Sequence, residues 1–145
     1  MITIDIPMEP SNSLFPNKRH RRGGYFAGVA ASTECRQTAR YAAMASGPYL
    51  EPYPGAVALT IHAGYGYRRQ KPDLDATISA CKPFIDGLVD AGILIDDNQV
   101  VKITATHEKL KGKRGEKLQG FTRIVIEELT PQNATFTHTR EEIEQ

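Results

Sequence analysis

Residues 71–101, KPDLDATISACKPFIDGLVDAGILIDDNQVV, carry four aspartates whose types and spacing suit phosphate chemistry. Asp73 and Asp75 flank Leu74 just after Pro72, and Asp96 with Asp97 closes the segment. Arg68, Arg69 and Lys71 stand immediately upstream. Mg²⁺ takes oxygen ligands and keeps several waters, so two or three carboxylates plus a phosphate oxygen suffice to hold it. Such an ion polarises the phosphate, activates a water and offsets charge on the leaving oxygen. Lys82 is placed to stabilise that charge further, lying two turns after Asp75 and nearly in phase on an unbroken helix.

The same carboxylates have ordinary structural uses. Asp73 is a good N-cap, Asp75 complements the helix dipole, and Asp96-Asp97-Asn98 is common turn chemistry. Spacing alone favours those uses. Conformation separates the two readings: residues two apart point ~200° from one another on a helix but share a side when extended. Lys71 precedes Pro72 and is biased to extended backbone. Asp73-Leu74-Asp75 is therefore expected as the last extended stretch, with both carboxylates outward and Leu74 anchored inward.

The elements that must position these residues follow from periodicity. Residues 2–7 alternate, so Ile2, Ile4 and Ile6 share a strand face. A long loop, PSNSLFPNKRHRRGGYFAG, follows. Thr33 is placed to cap a helix over Cys35–Ser46, stopped by Gly47-Pro48. The run 55–64 reads as a buried strand that continues outward over 65–70. Ile78, Cys81, Ile85, Leu88 and Val89 follow helical spacing and should face the sheet. Pro83 should kink or break that helix. Residues 99–110 and 121–129 alternate, and the pair reads as a hairpin joined by KGKRGEKLQ. The expected fold is α/β (α+β): a mixed sheet of about four strands with two main helices packed on it. Residues 1–129 form one domain, and 130–145 is a polar tail. There is no internal repeat.

One geometric difficulty stands out. An unbroken helix from Asp75 to Asp90 carries the chain ~24 Å from the first acid pair. Asp96 and Asp97 can rejoin it if the link 92–96 doubles back, aided by a kink at Pro83. Otherwise a symmetric dimer packs these helices antiparallel and brings Asp97 of one copy to Asp73 of the other.

Composition bounds the rest. The 145 residues are 40% hydrophobic and 24% charged, as in ordinary globular domains. No run approaches the ~20 apolar residues of a membrane span, and no signal peptide is visible at the N-terminus. Cys35 and Cys81 read as buried free thiols of a reducing cytosol. The four histidines lack zinc-type spacing. Net charge is +1, but residues 1–126 carry +5. The cations cluster at Lys18, Arg19, Arg21 and Arg22, at Arg68, Arg69 and Lys71, and at Lys109, Lys111, Lys113, Arg114 and Lys117. Basic patches with an acidic tail fit a polyanion partner. Phe15, Tyr25 and Phe26, beside the first patch, are candidates for stacking on opened bases or for packing the loop on the core.

RRQKPDLDATISACKPFIDGLVDAGILIDDNQVV resembles the RusA family of Holliday-junction resolvases, many from phages and prophages. The likeness lies in D-L-D before a helix, a D-A-L-(x)-x-A-G-type segment and D-D-x-Q-V. It extends upstream to Pro7, Pro10, Ser11 and Asn12 and downstream to KLKGKRGEKLQG before a final strand, covering roughly residues 1–129. The resemblance implies a homodimer in a bacterial or phage-infected cytoplasm that resolves four-way DNA by paired nicks with Mg²⁺ or Mn²⁺, in recombination and repair. Asp73, Asp75 and Asp97 match the family's metal-binding carboxylates, and Asp96 matches a less critical neighbour. Lys82 matches the catalytic lysine if about three extra residues are allowed after Asp75; without that gap Ser79 holds the position. Ala76 stands where the motif has asparagine. The competing expectation is a branched-DNA-binding relative that keeps the fold and charges without cutting.

Overall fold

The computed structural model describes residues 1–15, 24–48, 51–66, 71–116 and 118–130, without the side chains of 24–27. The elements are β1 (Ile2–Ile6), α1 (Gly24–Ala45), β2 (Val57–Tyr65), α2 (Leu74–Ala80), α3 (Lys82–Asp90), β3 (Val100–Lys109) and β4 (Phe121–Glu128). Short 3-10 turns occupy Asn12–Leu14 and Asp97–Gln99. The four strands form one mixed sheet in the order β1-β4-β2-β3. β4 runs antiparallel to both its neighbours, and β2 pairs with β3 in parallel.

This order corrects the expected hairpin. β3 and β4 are not neighbours: β4 inserts between β1 and β2, while β3 lies at the edge. Alternation reports which residues share a face and says nothing about which strand is the partner. Burial records the difference. Ile124 and Ile126 of β4 are fully buried, as a central strand requires, whereas β3 is exposed along most of its length. Parallel pairing of β2 with β3 makes α2 and α3 the crossover of a βαβ unit.

The helices cover one face of the sheet. Ile4, Ile6, Leu59, Ile61, Ile124 and Ile126 point into the core, where Cys35, Ala39 and Ala43 of α1 meet Phe84, Ile85 and Leu88 of α3. The opposite face carries Asp5, Thr60, Lys102, Thr104 and Arg123, all exposed. α1 and α3 pack closely at Gly87, and Arg36 clamps their outer edge by donating to Asp90 at 2.5 and 2.8 Å.

α1 is longer than the capping signal at Thr33 suggests. It starts at Gly24, and the Thr33 hydroxyl donates to the Val29 carbonyl inside the helix at 3.0 Å. Ala27, Ala30 and Ala31, strong helix formers, carry the helix through the supposed cap. Both cysteines are buried free thiols, and burial pushes Cys35 up to about 11 and Cys81 to about 12. Among the described residues no helix is long and apolar enough to cross a membrane.

Candidate active site

α2 begins two residues earlier than an extended D-L-D allows. Only Asp73 is extended (φ −64°, ψ 154°), and its carbonyl accepts from the Thr77 amide at 3.1 Å to close the first turn. Leu74 and Asp75 are already helical, so the Asp73 and Asp75 carboxylates do not share the side that an extended D-L-D would give them. Leu74 is 40% exposed, so it does not anchor the segment. Thr77 does: it is fully buried, and its hydroxyl meets the Tyr65 hydroxyl at 2.8 Å and His107 Nδ1 at 3.0 Å. That network ties the start of α2 to the ends of β2 and β3. The Asp73 side chain makes no capping hydrogen bond, and both Asp73 and Asp75 are exposed. The use of Asp73 as a side-chain cap is therefore not realised.

Pro83 divides the helix. α2 ends at Ala80, Cys81 is the joint, and α3 starts at Lys82 with Pro83 in its first turn, where a missing N–H leaves no bond unmade. The unbroken helix that would set Lys82 in phase with Asp75 is therefore interrupted at Cys81. The Lys82 ammonium donates to Asp86 at 2.6 Å and to Asp97. Partial burial works against the Lys82 charge, but the two carboxylates outweigh it and raise its pKa. Lys82, with a smaller contribution from Asp96, lowers that of Asp97. Asp86, Asp96 and Asp97 line a cleft of about 210 Å³ with Arg36, Val89 and Ile95.

Asp96 and Gln99 form a reciprocal capping box that holds this turn. The Asp96 carboxylate accepts from the Asn98 amide at 3.2 Å. Gln99 Oε1 accepts from the Ile95 and Asp96 amides at 2.6 and 3.0 Å, and its Nε2 donates to the Tyr53 and Gly55 carbonyls at 2.6 and 2.9 Å. One side chain thus fastens the Asp96-Asp97 turn to the entry of β2. The D-x-x-Q spacing before an apolar run is the signal that identifies it. Gln99→Ala is expected to cost about 2 kcal/mol, from several partly exposed hydrogen bonds at about 1 kcal/mol or less each. Urea unfolding of the purified variant checks this.

The structure places the acids in two groups. Asp73 lies close enough to His107, near the end of β3, to influence its charge, while Asp97 directly precedes β3. The strand from Val100 to His107 spans ~23 Å at ~3.3 Å per residue. Among the described residues no three His, Cys, Asp or Glu side chains are grouped to hold a metal. Asp73 and Asp75 offer the hard oxygen donors Mg²⁺ prefers, as one part of a ligand set.

His107 was not singled out by sequence and belongs to the Asp73 end. Burial lowers its pKa below the ordinary 6.5, Lys71 adds to the shift, and Asp73 opposes it. A histidine with a lowered folded-state pKa contributes stability above its unfolded pKa that is lost as pH falls. Wild type should therefore lose stability relative to His107→Gln as pH drops through 6.5. Urea midpoints at pH 7.5 and 5.5 measure it.

Lys71, Lys111, Lys113 and Arg114 are exposed, and both segments adjoin the end of the sheet where β2 and β3 finish. The Lys109 ammonium is held by the Tyr65 and Gly66 carbonyls at 3.3 and 3.0 Å. Phe15 packs in the core, so it is not a stacking residue. Lys18, Arg19, Arg21, Arg22, Arg68, Arg69, Lys117, the side chains of Tyr25 and Phe26, and the tail from 131 lie outside the described residues. No protein-family model matches the sequence and no curated protein does, so the chemistry of this region rests on its own residues.

Proposed function

We propose that the chain is a RusA-like, Mg²⁺- or Mn²⁺-dependent endodeoxyribonuclease that nicks four-way and other branched DNA as a homodimer. One observation carries the reading: Asp73 and Asp75 stand exposed at the start of α2, uncommitted to side-chain caps, near the exposed Lys71. Carboxylates that can hold a divalent ion there adjoin cations that can hold phosphate. The metal, when bound, supplies Lewis acidity and an activated water. Asp73, at the end of the extended segment, and Asp75, in the first turn of α2, would each offer it a carboxylate, and the Tyr65-Thr77-His107 network fixes the helix turn that presents them. Lys71 and the 111–116 segment bind the flanking phosphates, so affinity should fall steeply with salt. Lys82 keeps Asp97 ionised and oriented. The separation of Asp97 from Asp73 favours a site completed by a second copy.

Two observations favour a second reading. Asp97 is engaged by Lys82, and one chain groups no three ligands among its described residues. Those facts suit a branched-DNA-binding relative that does not cut. Incubation of wild type with a labelled synthetic junction separates the two. Nicks that require Mg²⁺ and vanish with chelator support the nuclease; tight binding with intact strands supports the binding relative.

A further inference from the structure

The sheet has two open edges, and they are built differently. β1 is five residues long and runs into Pro7, which cannot donate to a further strand. β3 is ten residues long, contains no proline and is exposed on both faces, with Val101 50% and Ile103 38% accessible. A long edge with exposed β-branched residues is a template for another strand.

The charges on β3 identify that strand. Lys102, Thr104, Thr106 and Glu108 share the face that carries no helices, because they pair with Ala58, Thr60, His62 and Gly64 of β2. Lys102 makes no ion pair with any described residue, and Glu108 is bonded to His62 through one oxygen at 2.7 Å. We infer that β3 joins two copies of this chain, the strands running antiparallel about a two-fold axis at Ala105. This register sets Lys102 opposite the partner's Glu108 and Glu108 opposite the partner's Lys102. It also sets Thr104 against the partner's Thr106. A two-fold contact must be self-complementary, and here each charge meets its opposite twice. Centring the axis on Lys102 would oppose like charges. The joined sheet is continuous across the two copies. The inference deepens the homodimer part of the proposed function and does not depend on the nuclease reading.

Sedimentation equilibrium of the full chain tests it. Wild type should dimerise, and Lys102→Glu and Glu108→Lys should each weaken the dimer roughly tenfold or more, since both create two like-charge pairs. An equimolar mixture of the two should recover wild-type association, because the acidic edge of one meets the basic edge of the other. Ala105→Cys should form a disulfide-linked dimer under mild oxidation, the paired Cα atoms lying about 4.5–5.5 Å apart. A monomeric wild type, a dimer indifferent to both charge changes, or an Ala105→Cys chain that stays monomeric overturns the interface. Strand nicking, read separately, decides the nuclease.

Discussion

Asp75→Asn should reduce Mg²⁺-dependent nicking of a four-way junction by roughly a hundredfold or more while leaving junction binding equal or tighter. Loss of an outer-shell partner of a metal ligand already costs roughly 10–100-fold, so loss of a direct ligand belongs at the top of that range or beyond. Binding moves the other way because the change removes a negative charge near phosphate. Asp75 makes no hydrogen bond or ion pair with a described residue, and the variant should fold like wild type. Strand-nicking rates and gel-shift affinities, measured on one preparation, give both numbers. A large loss of binding would contradict the assignment.

Gly87→Ala should destabilise the protein by about 2 kcal/mol or more, against the sign that helix propensity gives. Alanine exceeds glycine by ~0.8–1.0 kcal/mol inside a helix, so at an exposed position this change would stabilise α3. Gly87 is buried against α1 instead. A Cβ there would lie 2.4 Å from the Arg36 carbonyl oxygen and 2.8 Å from the Ala39 Cβ. The first of these is backbone and cannot swing aside, so the two helices must separate. Phe84 and Leu88 then lose part of their packing and the Arg36–Asp90 clamp is stretched. Overpacking of this kind typically costs about 1–3 kcal/mol, occasionally more. Urea midpoints of wild type and variant measure the change. A neutral or stabilised variant would show that the helices do not meet here.

Much of the frame was legible in the sequence. The alternation of Ile2, Ile4 and Ile6, the buried run in β2 and the helical spacing through Cys81, Ile85 and Leu88 all correspond to elements of the structure. Pro83 marked the break between α2 and α3, because a missing amide is tolerated only in a first turn. What escaped were choices made by tertiary contacts. Alternation in 100–109 and 121–128 does not say that β4 prefers β1 and β2 to the strand before it. Thr33 carries a capping side chain but sits where alanines keep the helix going. Leu74 was expected inward because it is apolar; the buried polar bridge from Thr77 to Tyr65 and His107 anchors α2 instead. Gln99, a single letter between Asn98 and Val100, turns out to fasten the second acid pair.

The acids themselves show the same division. Their identity, order and flanking cations were readable, and so was the distance problem between them. The link after α3 does double back, bringing Asp97 to Lys82, yet among the described residues Asp73, Asp75 and Asp97 are not grouped to hold one metal.

The central claim is that Asp73, Asp75 and Asp97 serve one cutting site completed by two copies of the chain. Mixing the inactive variants Asp75→Asn and Asp97→Asn tests it most directly. Random exchange makes about half the dimers mixed, and each mixed dimer carries one intact shared site, so nicking should return to roughly a quarter of wild type if association is two-fold. A mixture as inactive as its components, with subunit exchange verified, would contradict the shared site.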